Sequence, residues 1–88
     1  MNNQFSNNEA RVNVTYAGQN GDLPDTVWAQ ASDGDIRAWA TEAVASGSIL
    51  GIRATPSANF SGFVVDRFRA TRDRPYNLIQ LRPKTPFG

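Results

Sequence analysis

One amphipathic stretch, residues 33–46, stands alone among short alternating segments, and it constrains the fold more than anything else in the chain. Ile36, Trp39, Ala40, Ala43 and Val44 recur at i, i+3, i+4, i+7 and i+8, which makes one apolar stripe on a helix. Ser32 or Asp33 can cap its start, Asp33 and Asp35 place negative charge in its first turn, and Gly47 stands where a helix ends. At about 1.5 Å per residue such a helix is roughly 21 Å long, enough to lie diagonally across a small sheet. A lone helix has to bury its stripe against a second layer, and the rest of the sequence offers only strands for that layer.

Those strands are read from alternation and from turn residues. Arg11 to Tyr16 alternates with period two and places Val12, Val14 and Tyr16 on one face. Gly18-Gln19-Asn20-Gly21-Asp22 contains an Asn-Gly pair and is expected to turn a hairpin into a second strand, Leu23 to Gln30. Pro24 belongs at a strand start or a sheet edge. In that strand Val27 and Ala29 share one face and Thr26 and Trp28 the other, and the sequence leaves open which set is inward. After the helix, Ile49-Leu50-Gly51-Ile52 is an apolar exit and residues 53–62 are rich in turn residues. Phe63 to Phe68 reads as a third strand, with its leading residues buried on both faces. Residues 69–75 form a charged loop, and Tyr76 to Leu81 is the last strand, with Ile79 and Leu81 inward and Leu78 and Gln80 outward. The expected order is strand, strand, helix, strand, strand: a small α+β domain over 10–81. A disordered Asn-rich arm over 1–9 precedes it, and a flexible tail over 82–88 follows.

Composition removes whole classes of chemistry. The chain has 88 residues, enough for one domain that buries roughly 60% of its unfolded surface. It contains no Cys, hence no disulfide, thiolate metal site or cysteine nucleophile, and no His, the commonest general base and metal ligand. The serines and threonines therefore lack the usual activating partner, and no hydrolase arrangement emerges. Asp22, Asp25, Asp33 and Asp35 do not follow the EF-hand spacing, and the latter two are explained by the helix start. No metal or cofactor is expected. Nor does the sequence carry a membrane span or the basic start and apolar run of a secretory signal, so a cytoplasmic protein is expected.

Net charge is +1, carried by eight Arg and a single Lys, Lys84. Arg67, Arg69, Arg72 and Arg74 gather near Phe68 and Tyr76, a combination that can grip single-stranded nucleic acid. Asp66 and Asp73 interrupt the run, so a solvated, ion-paired loop is the expectation and nucleic acid is not an expected partner. The last strand leads into Arg82-Pro83-Lys84-Thr85-Pro86-Phe87-Gly88. Its prolines prevent a continued central strand, and a glycine without Cβ can enter a narrow site.

Together the hairpin over 11–30, the helix-opening Ser32-Asp33-Gly34-Asp35-Ile36, the exit Gly51-Ile52 and the last strand followed by a glycine-ended tail resemble the β-grasp fold. Within that fold the chain resembles the ubiquitin-like proteins. It is most similar to compact bacterial ubiquitin-like modifiers encoded with activating and conjugating enzyme homologues. Two departures stand out: Phe87 occupies the place where such modifiers usually carry a first glycine, and the segment over 69–75 leaves little room for an extra strand.

The resemblance implies a substrate of enzymes and not an enzyme. Gly88 would be adenylated by a partner activating enzyme, passed to an enzyme cysteine and conjugated to a target nucleophile, with a deconjugating protease as a further partner. The tail Arg82, Pro83, Lys84, Thr85, Pro86 and Phe87 would present that glycine. The candidate docking surface is the sheet face opposite the helix, with Leu78, Gln80, Val64 and Phe68. Two alternatives stay open: a non-covalent β-grasp interaction module, and a sulfur carrier bearing a C-terminal thiocarboxylate.

Overall fold

A computed structural model of the protein describes residues 8–84. The expected arm, apart from its last two residues, and Thr85, Pro86, Phe87 and Gly88 of the tail lie outside the described residues. One helix packs against a mixed sheet of five strands. The elements are β1 (Glu9–Tyr16), β2 (Gln19–Asp22), β3 (Val27–Trp28), α1 (Asp33–Ser46), β4 (Val64–Phe68) and β5 (Asn77–Arg82). The sheet order is β2-β1-β5-β4, and β3 also pairs with β1. β1 and β5 run parallel in the middle, and every other pairing is antiparallel. Among the described residues no helix is long and apolar enough to cross a membrane.

The helix forms where the stripe demands it. Ser32 caps it, its Oγ accepting from the Asp35 N–H at 3.0 Å. At the other end Gly47 adopts φ 74°, and the N–H groups of Gly47 and Ser48 bond back to the carbonyls of Val44 and Ala43. Ile36, Ala40 and Val44 are fully buried. Trp39, expected in the core, is 39% exposed. It sits at one border of the stripe, 60° from the Ile36 direction at 100° per residue, and the small Ala40 lets the sheet approach without it.

The second strand departs from expectation. The hairpin turns at Ala17-Gly18, not at Asn20-Gly21, because Tyr16 already pairs with Gln19. Ala17 has φ 52° and Gly18 φ 76°, the positive-φ pair that mirror-image two-residue turns require. Asn20 and Gly21 lie inside β2, where Gly21 faces the core opposite Val14. Its missing side chain admits the turn at Ile49–Ile52: a Cβ on Gly21 would overlap the Leu50 carbonyl and the Ile49 side chain. Likewise a Cβ on Gly51 (φ 101°) would overlap the Asn20 carbonyl. The expected strand over 23–30 is therefore split into β2 and β3. Partner numbers against β1 sum to 35 along β2 and 37 along β3, so two extra residues bulge out around Pro24. The bulge stays tied at both ends, by Leu23 N–H to Val12 O (2.9 Å) and Ala29 N–H to Asn8 O (2.6 Å). The face of this segment is now fixed: Val27 packs on the core and Trp28 is 60% exposed.

Between the layers lie Ala10, Val12 and Val14 of β1, Ile79 and Leu81 of β5, the helix stripe, and Ile49, Ile52 and Phe60. Phe60 comes from the segment read only as turns. It is 1% exposed and packs against Tyr16 (centroids 4.9 Å apart) and Phe63 (4.7 Å), an aromatic plug at the end of β1. Phe63 itself precedes β4, which begins at Val64, and Tyr76 likewise precedes β5.

Two stability outcomes follow from the backbone. Ala17→Asn relieves an alanine held in the left-handed region and raises stability to urea by about 0.5–1 kcal/mol. Gly51→Ala adds steric overlap to a positive φ and costs about 1–3 kcal/mol more than Gly62→Ala, where φ is also positive (81°) but nothing lies within reach.

Candidate functional site

The strand pairings determine what the face opposite the helix presents. In β1 that face carries Glu9, Arg11, Asn13 and Thr15, because Ala10, Val12 and Val14 point to the core. Across the parallel pairing it continues with Leu78, Gln80 and Arg82 of β5. Across the antiparallel pairing with β4 it ends in Phe68, Asp66 and Val64, directly opposite those three. All four residues of the expected docking surface, Leu78, Gln80, Val64 and Phe68, therefore stand on one face. Phe68 is 44% exposed on that face.

This face is graded from one end to the other. At the end where β5 begins lie Trp28, Tyr76, Leu78 and Phe68. The Arg11 guanidinium stacks 4.2 Å from the centroid of the Tyr76 ring, and that of Arg74 stands 5.7 Å from it. Toward the middle the surface becomes polar. Asn13 donates to Asn20 Oδ1 (3.0 Å) and Asp22 Oδ1 (2.8 Å), and Asn20 returns a bond to Asn13 Oδ1 (2.9 Å) and another to Thr15 Oγ1 (3.0 Å). This amide pair explains why Asn20 sits in a strand: its side chain is satisfied across the ladder.

The tail leaves the sheet beside Val64. Leu81 is fully buried, and Arg82, expected in the tail, is the last residue of β5. Its Nε donates to Asp66 Oδ2 at 2.6 Å across the strand pair. Pro83 and Lys84 follow, both exposed.

The arginine cluster behaves differently from a nucleic-acid grip. Arg67 sits opposite Ile79 and so points to the helix side. Its guanidinium donates to the carbonyls of Ala29 (3.1 Å) and Ala31 (2.7 Å) and to Asp33 Oδ1 (2.7 Å), joining β4 to the loop before the helix. Arg74 donates to the carbonyls of Tyr76 (3.2 Å) and Arg69 (2.6 Å), closing its own loop. From the helix, Arg37 donates twice to the Phe63 carbonyl, at 2.9 and 3.3 Å. Sequence patterns do not register these clamps, since every acceptor but Asp33 Oδ1 is a main-chain carbonyl. Among the described residues no group of three acidic side chains is gathered as a metal site would need.

No protein-family model, curated protein or solved structure matches this chain.

The Arg67 clamp is testable through stability. Arg67→Met removes three charge-assisted bonds from a partly exposed site and lowers unfolding free energy by about 1.5–3 kcal/mol in urea titration. Arg67→Lys recovers less than half of that, because a point charge cannot span two carbonyls and a carboxylate as a planar fork does.

Proposed function

We propose that the chain is a β-grasp, ubiquitin-like protein modifier of the compact bacterial kind, with Gly88 as its acyl donor. The observation that carries this reading is the way β5 is held and left. β5 lies between a parallel and an antiparallel neighbour, anchored by Ile79 and Leu81, and the chain passes from Arg82 to two exposed residues. A firmly held body with an accessible extension beyond its central strand suits a protein handled by its tail. The parallel β1–β5 pair flanked by antiparallel strands, with one helix across the same face, supports the β-grasp assignment.

The chemistry asks little of the modifier. A free glycine carboxylate is ionised at neutral pH and a poor acylating agent. In the activating enzyme its oxygen would attack the α-phosphate of ATP and displace pyrophosphate. An enzyme thiolate would then attack the acyl carbon and release AMP, and a target nucleophile would displace the thiol. Phe87 requires an enzyme channel wide enough for an aromatic ring beside the reacting glycine.

A second reading, a non-covalent β-grasp interaction module, draws on a separate observation: Phe68, Leu78 and Val64 share the open face of the sheet. Expression of the N-terminally tagged chain in host cells separates the two. Heavier, reductant-resistant bands that vanish when Gly88 is deleted are the expected result. Identical single bands for both chains, with the host's partner enzymes present, overturn the modifier reading, and so do adducts that persist after the deletion.

A further inference from the structure

The two outer strands of the sheet, β2 and β4, differ in what lies beside them. Against β2 packs the turn at 49–53, where Gly51 approaches the Asn20 carbonyl and the Arg53 N–H donates to Gln19 Oε1 at 2.8 Å. β4 pairs with β5 on its inner side, and among the described residues no strand lies on its outer side. In an antiparallel ladder alternate residues turn both N–H and C=O away from their partner, so β4 carries a row of outward main-chain groups. Among the described residues nothing but β5 bonds to the main chain of 64–68. The row has defined ends: the Phe63 carbonyl accepts from Arg37 at 2.9 Å, and the Arg69 carbonyl accepts from Arg74 at 2.6 Å.

The features that usually guard such an edge are missing or turned away. β4 contains no proline, and its register with β5 is unbroken from Val64–Arg82 to Phe68–Leu78, so no bulge twists it aside. Both of its charged side chains are drawn inward, Asp66 to Arg82 of β5 and Arg67 to Ala29, Ala31 and Asp33.

We infer that the outer edge of β4 binds an extended, uncharged segment of a partner protein as an added strand. Main-chain valence sets the backbone of the occupant, since an extended chain supplies donors and acceptors at the spacing of a strand edge. Side chains set its sequence. Val64 and Phe68 stand on the open face on either side of Asp66, so the occupant carries apolar residues two positions before and after a central one. Arg82 takes Asp66 Oδ2, and among the described residues no donor reaches Asp66 Oδ1. The central residue is therefore a hydroxyl donor, threonine or serine, which adds a hydrogen bond without adding charge to a pair already balanced. A second copy of this chain is the weaker fit. Antiparallel self-pairing about Asp66 matches Val64 with Phe68 but sets carboxylate against carboxylate, with no donor between them. Strand addition needs no conjugation at Gly88, so this inference stands apart from the modifier reading.

The test uses the full chain, labelled with 15N, titrated with the peptide acetyl-Thr-Val-Ser-Thr-Ser-Val-Thr-amide, whose valines and central threonine share one face. Two N-methylated versions accompany it, one blocking the N–H groups of the valines and central threonine, the other those of the serines. Amide shifts centred on 64–68 are expected with the parent peptide. One methylated version should lose binding and the other keep it, because only alternate residues of an added strand face β4. Valine in place of the central threonine should weaken binding about two- to tenfold, the range of one hydrogen bond. Phe68→Ala should weaken it as well, whereas Trp28→Ala, on the same face but beyond β1, should not. Unchanged melting temperatures confirm that both variants stay folded. Equal binding of the two methylated peptides, loss of both, shifts centred elsewhere, or no shift at about 5 mM peptide overturns the inference. So does concentration-dependent dimerisation of the chain alone with shifts on the same residues, which makes a second copy the occupant.

Discussion

The parallel pairing of β1 with β5 is the contact on which the other layers rest. It sets Val12 beside Ile79 and Val14 beside Leu81, and these four side chains are the floor onto which Ile36, Ala40 and Val44 of the helix close. A one-residue slip in that pairing would carry Leu78, Gln80 and Arg82 to the core and expel Ile79 and Leu81. The register is therefore defined by burial and not by a turn, since about sixty residues separate the two strands. Both neighbouring strands depend on it too. β2 and β3 share the free side of β1, and β4 takes the free side of β5.

Periodicity made the helix, β1 and β5 legible from sequence, because each has one buried face and no competing pattern. The helix limits and the inward choice of Ile79 and Leu81 agree with the structure. The second strand was obscured by a strong local signal, Asn20-Gly21, set against a long-range demand. Gly21 is needed in the sheet because the turn at Leu50 presses on it, so the chain bends earlier and holds Ala17 in a strained conformation. Phe60 was missed for a similar reason. It is a single apolar residue in a segment without period, and only its contact with Tyr16 and Phe63 gives it a role. The open face was readable once alternation in β4 and β5 was assigned.

The arginines illustrate how composition understates commitment. Arg37, Arg67 and Arg74 each donate to main-chain carbonyls at the edges of strands or in loops, where an unpaired acceptor would be costly to cover. Guanidinium suits this work because one side chain reaches several acceptors in a plane. The apparent basic cluster is thus divided between cations that hold the fold and cations that face outward, and only the second group is available to a partner.

The β1–β5 pairing also sets when the domain can fold. Until Leu81 has been synthesised, β1 lacks its central neighbour, and the β1–β2 hairpin alone is too small to persist in water. Val12 and Val14 therefore wait exposed while the rest of the chain is made, and non-local closure of this kind is intrinsically slow. A chain interrupted anywhere before β5 has no core to fall back on. The folded body is in this sense a proof of completed translation through Leu81, and whatever recognises that body excludes truncated chains without needing to inspect their ends.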